Sequence, residues 1–263
     1  MITYLVKSEL KNNILQITLN NPKYQNTLSE TMIKQLDDKL QQGSRDNSVK
    51  VIILSSTGPV FCAGHNLKDL NSKRSESDKG KSYYEKIFKN CSTLMMNITN
   101  HPKPIIAAID GIATAAGCQL IASCDLAYSS DKARFATPGV NIGLFCSTPM
   151  VPLSRNVSKK AAMEMLLTGD LIDANKARQI GLINDVFSSD QLMQKVLEVA
   201  QKISSKSMKT LKIGKKAFYK QREMSLKDAY DFTSAVMTEN MLNSESEEGI
   251  RAFLEKRKPV WDN

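Results

Sequence analysis

Apolar residues fall along this chain in three rhythms, and each rhythm predicts a different element. In the first nineteen residues, short apolar runs flank the polar turn Lys11-Asn12-Asn13. Segment 2–19 therefore predicts two strands, with Ile14, Leu15, Ile17 and Leu19 carrying the second. Asn20-Asn21-Pro22 ends that strand. Met32, Ile33, Leu36 and Leu40 then recur at helical spacing. Thr27 as N-cap, with Glu30 three residues on, predicts a capping box that opens this helix.

The third rhythm is continuous. Segments 49–55 and 104–110 are unbroken apolar runs of strand length, the pattern of strands in a parallel sheet covered on both faces. A helix over 83–98 separates them, a second begins near Gly117, and another strand follows at 126–129. Strands and helices in this alternation predict right-handed crossover units and an α/β fold. Beyond residue 150 the chain turns helical, with segments at 159–167, 174–180, 191–204, 208–220, 226–241 and 249–256. In the long one, Leu226, Tyr230, Thr233, Val236, Met237 and Met241 share a face. Segment 72–82, SKRSESDKGKS, reads as a solvated surface excursion, with a lid as the sharper alternative.

Length and composition narrow the picture. The chain has 263 residues, enough for one sizeable core with a helical appendage, divided here as 1–200 and 201–263. The N-terminus has no apolar run of leader length and no segment is long enough to span a membrane, so a soluble, cytoplasmic protein with no membrane association is expected. The five cysteines are irregularly spaced and read as reduced thiols. His65 and His101 give no metal-ligand spacing with them, so no metal and no separate cofactor are expected. The net charge of +9 favours a polyanionic partner, either nucleic acid or a phosphate-rich small molecule.

Two loops are placed for chemistry, each running from a strand into a helix. They are Cys62-Ala63-Gly64-His65-Asn66-Leu67 and Ala113-Thr114-Ala115-Ala116-Gly117-Cys118-Gln119-Leu120. Small residues let a ligand approach the backbone, and a helix start leaves N–H groups unpaired. Two such loops at the ends of adjacent parallel strands can aim two donors at one oxygen and stabilise a carbonyl as it gains charge.

With those loops in this order, the sequence resembles the crotonase (enoyl-CoA hydratase/isomerase) superfamily over nearly its whole length. The match runs from Leu19-Asn20-Asn21-Pro22-Lys23-Tyr24-Gln25-Asn26-Thr27-Leu28 through both loops and Cys124-Asp125 to Glu248-Gly249-Ile250-Arg251-Ala252-Phe253. The stretches Phe135-Ala136-Thr137-Pro138-Gly139-Val140-Asn141 and Leu144-Phe145-Cys146-Ser147-Thr148-Pro149 are most similar to its divergent "enoyl-CoA hydratase domain-containing 3" subgroup. The resemblance implies a ClpP-like spiral of ββα units with a C-terminal helical trimerisation region. It implies an acyl-CoA substrate, coenzyme A entering only as part of that substrate, and a homotrimer or dimer of trimers. The oxyanion-hole amides are those of His65 and Ala116. Lys23, Tyr24 and Gln25 are expected beside the adenine and pantetheine arm, with Ala63, Gly64, Asn66, Lys68 and Asn141 around the thioester. Phe253, Lys256 and Lys258 are expected to cover the nucleotide end.

The departures from the family pattern carry the most information. Its two catalytic glutamates fall at Gln119 and Gly139, where one residue takes no proton near neutral pH and the other has no side chain. Ordinary hydration is therefore expected to be weak or absent, and the usual isomerase base is missing too. Three readings follow: a hydratase-like lyase or other thioester enzyme, a non-catalytic acyl-CoA binder, or an RNA binder using the Lys-rich segment 206–222. For the last, a solvated helix face is the plainer account of Lys209, Lys212, Lys215, Lys216 and Lys220. The ring of His65 is expected to face solvent or CoA, with only its amide in use. Cys118 and Cys146 read as small buried thiols sooner than as nucleophiles.

Overall fold

The computed structural model describes residues 4–262. Ile2, expected in the first strand, lies outside them. Strands β1 (Val6–Lys11) and β2 (Ile14–Leu19) pair antiparallel. Asn12 and Asn13 turn between them at φ 51° and 63°, the left-handed pair that a two-residue hairpin requires. Helix α1 (Glu30–Arg45) follows. Its N-cap is Ser29, whose hydroxyl accepts from the Met32 amide, and not Thr27 as the capping-box pattern suggested. The reason is tertiary: the Leu28 amide donates to the Gly64 carbonyl at 2.8 Å, which commits it outside the helix and delays the helix start.

The chain then alternates between two sheets. Strands β3 (Val51–Ser56) and β4 (Val60–Cys62) lead to α2 (Leu67–Ser72) and α3 (Lys81–Thr99). Strands β5 (Ile105–Ile109) and β6 (Ile112–Thr114) lead to α4 (Ala116–Ser123). Strands β7 (Leu126–Ser130) and β8 (Arg134–Ala136) lead to a 3-10 turn, Pro138–Ile142, then α5 (Met150–Asn156) and α6 (Lys159–Thr168). The spiral closes with β9 (Ile172–Asp173), α7 (Ala174–Gln179) and β10 (Asp185–Phe187). One sheet has the order β1-β2-β3-β5-β7-β10, and the other β4-β6-β8-β9. Consecutive strand pairs thus send one member to each sheet before their helix, which is the expected ββα spiral.

The continuous apolar strands are covered on both faces. Ile52 and Leu54 of β3 face the main core with Leu36 and Leu94, while Val51 and Ile53 pack beneath Leu192, Val196 and Ala200 of α8 (Ser189–Ser204). Strand alternation and two apolar coverings explain why no polar residue interrupts β3 from Val51 to Leu54. The chain ends in α9 (Met208–Gln221), α10 (Leu226–Met241) and α11 (Ser244–Leu254). Segment 72–82 is mostly exposed, as the solvated-surface expectation has it, and it carries regular structure. It holds the end of α2, a 3-10 turn at Lys73–Ser75 and the start of α3, where Asp78 accepts from the amides of Gly80 and Ser82. Among the described residues, no helix is long and apolar enough to cross a membrane.

Candidate active site

Strands β4 and β6 pair in parallel, so the loops that leave their C-terminal ends emerge side by side. Two glycines set how close they come. A β-carbon at Gly117 would lie 2.1 Å from the Cys62 carbonyl oxygen, so only glycine lets the first turn of α4 press on β4. Gly64 has φ +86°, and a β-carbon there would lie 3.1 Å from the Ala116 nitrogen. Between them Ala115 takes φ 51° and ψ −118°, a conformation that side-chain-bearing residues rarely adopt and that concentrates at functional sites. Its own amide is anchored to the Ala136 carbonyl at 3.0 Å. Ala116, the first residue of α4, therefore presents an amide at the positive end of that helix. Among the described residues, neither the His65 amide nor the Ala116 amide has a hydrogen-bond acceptor.

The N-terminal segment is laced onto the first loop. The Ala63 amide donates to the Gln25 carbonyl at 3.1 Å, and Gln25 is held at φ 53° by the end of the 3-10 turn Pro22–Tyr24. Lys23 lies 5.5 Å from the exposed ring of Tyr24. Asn26, which sequence reasoning passed over as a site residue, ties this corner together. It is fully buried, donates to the Thr57 and Val60 carbonyls and accepts from the Asn21 amide. An asparagine flanked by polar residues gives no sign of burial in a single sequence.

The ring of His65 does not face solvent. Its Nδ1 bonds the Leu28 carbonyl at 3.1 Å, and its ring meets that of Phe88 in a T-shaped contact with centroids 5.3 Å apart. A carbonyl only accepts, so Nδ1 carries the proton and Nε2 is left as a buried acceptor with no partner among the described residues. Burial lowers the imidazole pKa, partly offset by the Leu28 bond, which keeps the ring neutral near pH 7. Asn66 caps α2 through its bond from the Lys68 amide, so its side chain is already engaged, and Lys68 is exposed.

Positions 119 and 139 are built differently. Gln119 is 3% exposed, with Oε1 4.0 Å from the Cys91 sulfur. At Gly139 the space for a side chain is filled: a β-carbon would lie 2.8 Å from the Leu144 carbonyl oxygen and 3.0 Å from the Cys146 sulfur. The Gly139 amide donates to that sulfur at 3.3 Å. Burial pushes the thiols of Cys62, Cys91 and Cys118 up to about 12 and raises that of Cys146 as well. None is a thiolate near neutral pH, which removes the nucleophile reading of Cys118 and Cys146.

Gln119 forms part of the floor of a cleft of about 770 Å³ between α3, α4, α5 and α9. Asn141 is exposed and sits beside Gly169. Phe253, Lys256 and Lys258 are exposed at the end of α11 and beyond, and none of their hydrogen bonds reaches the loops. The lysine comb on α9 is broken: Lys215 turns inward, 2.6 Å from Asp125, and also donates to the Ile98 and Lys103 carbonyls. Among the described residues, no group of three or more His, Cys, Asp or Glu side chains is arranged to hold a metal ion.

The chain matches the family described as "Enoyl-CoA hydratase/isomerase" over residues 9–263, and it belongs to that family. It is similar to the mouse protein named "Enoyl-CoA hydratase domain-containing protein 3, mitochondrial", with 46% identity over 259 residues, covering 98% of this chain and 85% of that one. The human protein of the same name is 48% identical over 250 residues, covering 95% and 81%. The crystal structure of human enoyl-CoA hydratase domain-containing protein 3 superposes with a TM-score of 0.93 at 47% identity, covering 98% of this chain and all of that one. An enoyl-CoA hydratase structure from Mycobacterium smegmatis gives 0.92 at 42% identity, covering 98% and 99%. The cytoplasmic location expected from the sequence is overturned by the mouse and human relatives, and by the rat protein of the same name, whose names place them in mitochondria.

Proposed function

We propose that this chain binds an acyl-CoA thioester, with the amides of His65 and Ala116 donating to the thioester carbonyl oxygen. One observation carries the reading: two loops pressed together at Gly64 and Ala116 present two N–H groups without acceptors. By family the reaction is that of an enoyl-CoA hydratase, a lyase of fatty acid metabolism, and the names of the relatives favour a mitochondrial setting. Gln119 and Gly139 supply neither acid nor base. General acid–base groups contribute roughly 10²–10⁴-fold, so water addition runs at least ~100-fold below that of a two-glutamate enzyme.

The pantetheine arm and adenine lie along Lys23, Tyr24 and Gln25, which the Gln25–Ala63 bond fixes beside the first loop. The helices from residue 201 onward form a trimerisation region. Tyr230 and Met237 of α10 remain exposed on the single chain, as does Phe253, which would then cover the nucleotide end bound by a neighbour. The withdrawal of Lys215 into an ion pair leaves the nucleic-acid reading with a weaker surface.

Calorimetric titration with crotonyl-CoA, followed by its enone absorbance, tests the proposal. Saturable binding with little or no loss of absorbance is expected. Absence of binding contradicts the thioester site, and hydratase-like turnover contradicts the role given to Gln119 and Gly139.

A further inference from the structure

The cleft floored by Gln119 has a graded lining. Its deep wall is Gln119 and Ser123, at 3% and 5% exposure. Met95 and Val151 line its sides. Its rim is charged, with the Arg155 and Glu223 side chains at 50% and 68% exposure. Gln119 stands three residues beyond Ala116 on α4, an axial rise of ~4.5 Å along the helix. A volume of about 770 Å³ falls within the usual range for small-molecule sites.

The charge at the rim is unbalanced. Four cations line the cleft, Arg155, Lys216, Lys220 and Arg222, against two carboxylates, Asp125 and Glu223. Both carboxylates are engaged, Asp125 by Lys215 and Tyr219, and Glu223 by Arg155. Lys220 lies over the ring of Phe232 at 4.6 Å, and Arg222 over Phe218 at 5.7 Å, so neither cation meets a carboxylate. Lys216 is exposed and, among the described residues, its ammonium has no hydrogen bond or ion pair. A plain alkyl chain leaving this cleft would run its methyl end among cations and desolvate them without return. An anionic end would give them a charge-assisted partner.

We infer that this cleft selects acyl groups whose far end carries a negative charge, such as the CoA monothioester of a dicarboxylic acid, with Lys216 as the specificity-determining contact. The inference rests on the thioester site proposed above and adds what the acyl chain must be.

The test compares adipoyl-CoA, its terminal methyl ester and hexanoyl-CoA by competitive calorimetry on the full chain. Adipoyl-CoA binds about fivefold tighter than hexanoyl-CoA, the methyl ester binds like hexanoyl-CoA, and the preference shrinks as salt rises. Lys216→Glu abolishes the preference. Lys209→Glu, the same charge change at an exposed α9 position outside the cleft lining, retains most of it. Equal or tighter binding of hexanoyl-CoA overturns the inference while leaving the thioester site standing. Equal effects of the two lysine variants overturn it as well, since overall charge alone would then explain the preference. Failure of all three esters to bind removes the thioester site and this inference with it.

Discussion

The α-carbon of Gly64 packs against the main-chain nitrogen of Ala116 so closely that a β-carbon on Gly64 would lie 3.1 Å from it. This contact joins the two loops, because it brings the peptide that carries the His65 amide beside the start of α4. Gly64→Ala should therefore abolish acyl-CoA binding. The new methyl group meets Ala115 at 2.9 Å, and φ +86° is strained for alanine. Calorimetry with crotonyl-CoA on variant protein that retains its far-ultraviolet circular dichroism checks this; unchanged affinity contradicts it.

Placing a glutamate at position 119 or at position 139 should succeed at the first and fail at the second. Gln119→Glu preserves shape at the cleft floor and is expected to fold. Gly139→Glu must displace Cys146 and the Leu144 carbonyl, and overpacking of this kind costs about 1–3 kcal/mol. Urea denaturation of both variants, with crotonyl-CoA absorbance as the activity readout, checks the contrast. Gly139→Glu is expected to gain no hydration unless Cys146 is also reduced in size.

The ion pair between Lys215 and Asp125 fastens α9 to the sheet across 90 residues of sequence. Asp125 also accepts from the Ile105 amide and the Tyr219 hydroxyl, and its partner Lys215 is 9% exposed. Lys215→Met leaves that carboxylate largely buried without its cation, at a cost of about 3 kcal/mol. Tyr219→Phe loses one hydrogen bond to a charged group, about 1.5 kcal/mol. Chemical denaturation midpoints should fall in that order, with unchanged slopes.

Two imidazoles set a pH dependence. Burial lowers the pKa of both His65 and His101 from 6.5. The unfolded chain therefore binds protons first as pH falls. Their contribution to stability is full above pH 6.5 and is lost as pH drops from there towards the folded values. Melting temperature should decline between pH 7.5 and 5.5, and His65→Gln should flatten part of that decline. A melting temperature that rises on acidification over this range contradicts the assignment.

How much of this was legible in the sequence depended on how local the cause was. Strands β3 and β5 were readable because burial on both faces leaves an unbroken apolar run. The two loops were readable because each is a short run of small residues between a strand and a helix. The start of α1 was misplaced from Ser29 to Thr27 because the deciding bond, from Leu28 to Gly64, is a contact between distant segments. The inward turn of Lys215 was invisible for the same reason, since its partner Asp125 lies far away in the chain. At Gly139 the sequence reported a missing side chain. It did not report that the Cys146 sulfur fills the space, because the fold of residues 139–146 decides that. Location failed on different grounds: composition carries no record of the compartment in which the relatives work.

The most direct measurement is the carbonyl stretch of bound crotonyl-CoA labelled with carbon-13 at the thioester carbon, read by infrared difference spectroscopy. Two converging N–H donors polarise that carbonyl, so the band should move to lower frequency on binding. A bound ligand whose carbonyl absorbs at its solution frequency would contradict the account.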